Sequence, residues 1–202
     1  KERVPYEHYM ALYQDADPKE ISSRVNVPYD EEHKSFTIEM MGTVYHVTYP
    51  EFEISHEEND KGFYPLESMI SAKILVARYL CEGCYAPAGG KYFTYREMPW
   101  GEVYYKQFQG RCIMRLAFGF GNKVQSFADV MERLGAKKLD SGDCSYELEF
   151  LKGLFVRFIL WEGDEEFPPS AQILFSDNCP VAFQAEDMAV VGDISIGTFK
   201  AM

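Results

Sequence analysis

No apolar run in the chain approaches the roughly 18 residues needed to span a bilayer, and Lys1 to Met10 contain no signal-peptide core. The sequence therefore reads as cytoplasmic, and its start at Lys1 rather than Met, within a helical pattern, leaves room for an upstream segment. Basic clusters are also missing: the one adjacent pair is Lys137-Lys138, in a chain of 32 acidic and 20 basic residues with net charge −12. A phosphate backbone or an anionic lipid surface would meet net repulsion, so neither nucleic acid nor a membrane is an expected partner. Histidine is scarce and stops early, at His8, His33, His46 and His56. With no histidine after His56 and no Gly-x-Ser-x-Gly elbow, an acyl-transfer triad has no ready base.

The five cysteines, Cys81, Cys84, Cys112, Cys144 and Cys179, form an odd set without framework spacing, as suits reduced thiols in a reducing compartment. Cys81 and Cys84 have the Cys-x-x-Cys spacing of a metal or redox pair. They stand at a helix C-terminus, where the dipole raises a thiol pKa, and no second ligand pair exists. No metal is expected, and the sequence identifies no cofactor. "SHEEND", Ser55 to Asp60, lacks the second histidine of a zinc protease. "FGFGNK", Phe118 to Lys123, lacks the third glycine and the preceding strand of a phosphate loop, so it reads as a helix stop and a new cap.

What is present is a folding composition, 47% hydrophobic and 15% aromatic in 202 residues, which suits a single α+β domain over 1–202. Helical spacing over residues 4–14, and Asp17 before Pro18, predict two opening helices. "SFTIEMMGTVYHVTY" alternates around Gly42, and "CSYELEFL" and "LFVRFILW" alternate around Lys152-Gly153, so each predicts an antiparallel hairpin. "AQILF" and the stretch from Lys91 to Arg96 read as further strands. Helices are predicted over 64–80, over 101–118 with a stop at Gly119, from an Asn122 cap to Gly135, and over 185–199, where Gly192 and Gly197 weaken the pattern. Hairpins with intervening helices give the fold class: α+β, an antiparallel sheet built from hairpins and packed with several helices.

Suspicion of function concentrates on "WEGDEEFPPSAQILF", Trp161 to Phe175. Asp164, Glu165 and Glu166 crowd a strand end beside Trp161, and Phe167-Pro168-Pro169 stiffens the exit. Two readings stay open. In one, Arg96, Trp161, Asp164, Glu166 and Phe167 surround a small-molecule ligand. In the other, Asp164 bonds the amides of an Asx turn, Glu162 and Glu165 face water, and Glu166 pairs with Arg96, Arg111 or Arg157.

"YFTYREMPWGEVYYKQF", "FGFG", "FILWEGDEEFPPSAQILFSDN" and "AEDMAVVGD", in that order, resemble an uncharacterised bacterial and archaeal family, domain of unknown function 3786. The resemblance spans about residues 60–195. Its most specific part is Trp161, Gly163, Asp164, Glu166, Phe167 and Pro168, and Tyr95-Arg96-Glu97-Met98-Pro99 stands for the family's Phe-Arg-Glu-Leu-Pro. The aspartate that follows Leu-Phe in the family is Ser176 here, with Asp177 one residue later. Such relatives are typical of anaerobes, and some carry an added cysteine segment of iron–sulfur type that this chain lacks. The resemblance implies a ligand surface and no particular reaction. The expected function is a binding or accessory protein for a small molecule or cofactor in anaerobic bacterial metabolism; the alternative is an enzyme using Asp164 and Glu166 for acid–base or divalent-cation chemistry.

The cysteine pattern makes a direct prediction. Thiol titration of the denatured protein should count five free thiols without added reductant, and dialysis against a weak chelator should leave no stoichiometric zinc or iron. Metal retained by the native chain and lost on Cys81→Ser would refute it.

Overall fold

Two helices open the computed structural model, which describes every residue from Lys1 to Met202. α1 (Arg3–Asp15) buries only Tyr13, whose hydroxyl donates to the Thr48 carbonyl at 2.9 Å. α2 (Pro18–Val25) begins as its sequence dictates: Pro18 holds the first helical position and Asp17 accepts the Lys19 N–H at 3.0 Å.

The strands are β1 (Tyr29–Asp30), β2 (Ser35–Met40), β3 (Thr43–Thr48), β4 (Ile54–His56), β5 (Tyr92–Thr94), β6 (Lys137–Leu139), β7 (Cys144–Leu151), β8 (Leu154–Trp161) and β9 (Ser170–Ser176). They form one nine-stranded sheet in the order β4-β3-β2-β7-β8-β9-β5, with β1 beside β2 and β6 beside β7. Every pairing is antiparallel. Both predicted hairpins are present. Met41 and Gly42 turn the first with φ of 49° and 81°, the positive pair that a tight two-residue turn needs. Alternation then sends Phe36, Ile38 and Met40, with Tyr45 and Val47, to the buried face.

The two parts of the sheet meet at a narrow seam. Met40 pairs with Leu151, and Met41 N–H donates to the Phe150 carbonyl at 3.0 Å. A cavity of about 240 Å³ lies at this seam, lined by Val25, Ile38, Val76, Tyr79 and Leu151 among others, with Lys152 and Glu39 3.4 Å apart on its lining.

The predicted helix over 64–80 is broken. α3 (Pro65–Ser68) and α4 (Ile70–Glu82) are separated by Met69, whose backbone is extended at φ −111° and ψ 117°. Its side-chain tip lies 3.2 Å from where a Cβ on Gly197 would stand, so tertiary packing interrupts a locally helical sequence. The helix expected to stop at Gly119 runs one residue further, as α5 (Gly101–Phe108), a π-helical turn (Gln109–Ile113) and α6 (Met114–Phe120). α7 (Val124–Arg133) has Lys123 at its N-cap rather than Asn122. α8 (Cys179–Ala182) leads into α9 (Ala185–Ala201), which is buried nearly all round and forms the centre of the helical layer.

The glycines that weakened the sequence pattern of α9 are close-packing positions. A Cβ on Gly192 would stand 2.7 Å from Cys112 Sγ, in the π-helical turn. The core cluster of 47 buried residues runs from Tyr13 to Phe199 and joins both parts of the sheet to α9. Gly192→Ala should therefore destabilise by about 2 kcal/mol through overpacking. Gly197→Ala, which meets only the flexible end of Met69, should stay within about 0.5 kcal/mol as helix propensity offsets the shift. Urea denaturation of the two variants checks the difference.

Candidate functional site

The acidic corner suspected from sequence is an exposed, self-bonded turn. Asp164 Oδ1 accepts the Glu166 N–H at 2.8 Å and the Phe167 N–H at 2.7 Å, and Asp164 N–H donates to the Phe167 carbonyl at 2.9 Å. That carboxylate is committed to closing the loop. Trp161 ends β8 at 41% exposure, Phe167 is 67% exposed, and Glu166 faces solvent without an ion pair. The loop exit is held as expected: Pro169 packs on Gly121 and Gly163, where an added Cβ would come within 2.2 and 2.7 Å of its ring. Arg96 is bound elsewhere, in a two-point pair with Glu102 at 2.8 and 2.7 Å, with its guanidinium 4.6 Å from the Tyr105 ring centroid. It does not serve Asp164 or Glu166. A cavity of about 330 Å³ includes Gly142, which touches Trp161, but none of the five suspected residues lines it.

Asp177, the acid displaced by one from the family position, is also structural. It accepts the Gly89 N–H at 2.7 Å and the Lys91 N–H at 3.3 Å, while Ser176 is buried and bonded to Asn178 at 2.6 Å. Burial pushes the Cys81 thiol up to about 11, which leaves it protonated and a poor nucleophile at neutral pH. No group of three or more His, Cys, Asp or Glu side chains is arranged to hold a metal ion.

A second concave surface lies at the N-terminal end of α9. A cleft of about 440 Å³ is lined by Trp100 and Tyr104 from one side and by Phe183, Ala185, Glu186 and Met188 from the other, with Pro99, Pro180 and Gln184 completing it. Two smaller hollows adjoin it, of about 190 and 300 Å³, sharing Pro180, Phe183 and Gln184 with it in one case and Tyr104 and Glu186 in the other.

Trp100 sits in this cleft at a backbone cost. Met98 to Gly101 make a turn closed by the Gly101 N–H on the Met98 carbonyl at 2.9 Å, with Pro99 second and Trp100 third at φ 63° and ψ 1°. That third position ordinarily takes glycine. A bulky aromatic there is strained by about 1–2 kcal/mol, and with the residue 73% exposed, burial recovers little of it. The glycine follows instead at Gly101, where a Cβ would stand 1.8 Å from the Tyr95 carbonyl oxygen.

Behind the cleft is a buried ion pair. Arg78 Nη1 lies 2.9 Å from Asp187 Oδ1, their side chains 23% and 7% exposed, and Arg78 Nε is buried without a partner. Asp187 also accepts the Gln184 N–H at 3.1 Å, in a capping box that closes the first turn of α9 on itself. Burial raises the Asp187 pKa above the ordinary carboxylate value, opposed by Arg78.

A family model described as a domain of unknown function, DUF3786, matches residues 17–198. The chain belongs to this family. Neither a curated protein nor a solved structure matches it. The DUF3786 region is wider than the 60–195 inferred from sequence: it takes in α2 and the first hairpin, whose inward side chains share the core with β7 and α9. Two stretches that carried the DUF3786 resemblance, Tyr92–Phe108 and Ala185–Asp193, form opposite walls of the cleft. Trp100, Tyr104, Phe183, Glu186 and Met188, which line the cleft, were not singled out from sequence. Their signal was the tryptophan between Pro99 and Gly101, a bulky residue where a turn favours glycine.

Two predictions follow from these contacts. Asp164→Ala should cost about 1–2 kcal/mol by removing a side-chain cap, whereas Glu166→Ala should stay within about 0.5 kcal/mol; chemical denaturation at pH 7 compares them. For the buried pair, a raised carboxylate pKa means that its stabilising contribution is full below the ordinary value and lost as pH rises through the folded one. Arg78→Met removes the opposing charge and lifts that folded pKa further. Its deficit relative to wild type should widen from pH 4 to pH 7, towards the order of 3 kcal/mol. A deficit independent of pH would contradict this account.

Proposed function

We propose that this DUF3786 protein is a small-molecule or cofactor binding protein, with an accessory role in the metabolism of anaerobic bacteria, and that its ligand occupies the cleft between Trp100 and the first turn of α9. The observation that carries the reading is Trp100: an exposed indole, held in a left-handed backbone conformation, on the rim of the cleft of about 440 Å³. Such strain persists where surrounding structure enforces it and is concentrated at functional sites. The volume and mixed lining suit a small organic molecule, with aromatic rings for its apolar body and a few polar groups for orientation. A cytoplasmic setting agrees with the five free thiols and with the absence of any helix long and apolar enough to cross a membrane.

With only two tryptophans, the chain offers two indole N–H resonances. The resonance lost in Trp100→Asn identifies Trp100, and asparagine tolerates the left-handed conformation, so that variant should be at least as stable as wild type. Screening a metabolite library by thermal shift and indole NMR should find a compound that moves the Trp100 resonance saturably and stabilises wild type but not Trp100→Asn. A ligand that moves only the Trp161 resonance would transfer the site to the acidic turn. Equal stabilisation of both proteins would defeat the cleft reading.

A further inference from the structure

The cleft contains a single charged side chain, Glu186, and no cationic one. The arginines in its surroundings have carboxylate partners of their own: Arg96 pairs with Glu102 at 2.7 Å, Arg78 with Asp187 at 2.9 Å, and Arg111 shares Asp193 with Arg115. Glu186 is in no ion pair, although Arg78 and Arg111 line the adjoining hollow with it. The exposed carboxylate thus borders a concave, aromatic surface with no ion-pair partner in the protein.

The remainder of the lining points to the same ligand charge. Trp100, Tyr104 and Phe183 place aromatic rings in the lining, and the quadrupole of such a ring attracts a cation within about 6 Å of its centroid. The capping box at the start of α9, Gln184 N–H to Asp187 at 3.1 Å and Asp187 N–H to the Gln184 side chain, takes those two amides from an anion. An anionic ligand would meet Glu186 with no compensating cation in the cleft. A neutral one would leave that carboxylate partly desolvated and unpaired.

We propose that the cleft takes an organic cation: a quaternary or protonated amine on an apolar body, its charge towards Glu186 and its carbon groups against Trp100 and Tyr104. The inference rests on the reading of the cleft as a ligand site and adds the chemical class of the ligand. The protein's net charge of −12 favours the approach of such a molecule.

Three probes with a branched head of the same shape separate charge from shape: choline, 3,3-dimethylbutan-1-ol and 3,3-dimethylbutanoate. Titrated against the Trp100 indole resonance, choline should bind about tenfold tighter than the alcohol, with the carboxylate weaker than both. Glu186→Gln should bring choline and the alcohol to parity, with an unchanged melting temperature showing that the fold is intact. The inference is overturned if the alcohol or the carboxylate binds as tightly as choline, or if Glu186→Gln keeps the preference. In those cases a probe still occupies the cleft, so the ligand-site reading survives. Failure of all three probes to move the Trp100 resonance also overturns the cation, and the cleft itself is then judged by the library screen on wild type and Trp100→Asn.

Discussion

The Tyr95 hydroxyl donates to the Ala185 carbonyl at 2.7 Å, deep in the core, and the geometry of the cleft depends on that bond. Tyr95 stands where β5 gives way to a single 3₁₀ turn, and Ala185 is the first residue of α9. The bond therefore fixes the Met98–Gly101 turn against the start of the longest helix. Its ring is stacked on Phe108 at 4.1 Å and 6°, which ties the same point to the end of α5. The Tyr95 carbonyl excludes any Cβ at Gly101, so glycine is taken by the fourth place of the turn and the third is left to Trp100. One buried tyrosine thus sets both the separation of the cleft walls and the strained backbone on its rim.

Charge density and concavity separate in this molecule. The acidic corner at Asp164 to Glu166 has the densest cluster of charge near an aromatic residue, yet its central carboxylate is consumed by two amides of its own turn. Arg96, the cation assigned to it from sequence, is satisfied by Glu102 six residues away in its own segment. Local partners win because they lose less chain entropy on pairing than partners brought from another strand. Glu186, a single carboxylate beside the aromatic lining of the cleft, has neither a hydrogen bond nor an ion pair within the protein.

The strands were legible because their side chains alternate over whole segments, as in Phe36, Ile38 and Met40, and because Gly42 and Gly153 stand at the turns. α9 was legible despite two glycines, though their purpose was not: contact of Gly192 with Cys112 is a tertiary fact with no local trace. The break at Met69 was hidden for the same reason, since nothing between Pro65 and Leu80 disfavours a continuous helix until Gly197 is brought opposite. At the acidic corner, the Asx turn closed by Asp164 and the proline exit were legible, whereas the pairing of Arg96 with Glu102 and the solvent-facing Glu166 were not. Trp100 left a mark in its neighbours, Pro99 and Gly101, readable only by asking which residue must occupy the awkward position of the turn.

The seam at Met40 and Leu151 has a consequence for how the molecule breathes. Most neighbouring strands are joined along several residue pairs, seven between β7 and β8 and six between β8 and β9, whereas β2 and β7 share one. The first hairpin, with β1 and β4, is thus a cooperative unit joined to the rest of the sheet by a single rung. Its opening would leave the pairing of β7, β8 and β9 intact, and amide exchange is then expected to divide the sheet into an earlier and a later half. The cavity of about 240 Å³ lies along that division.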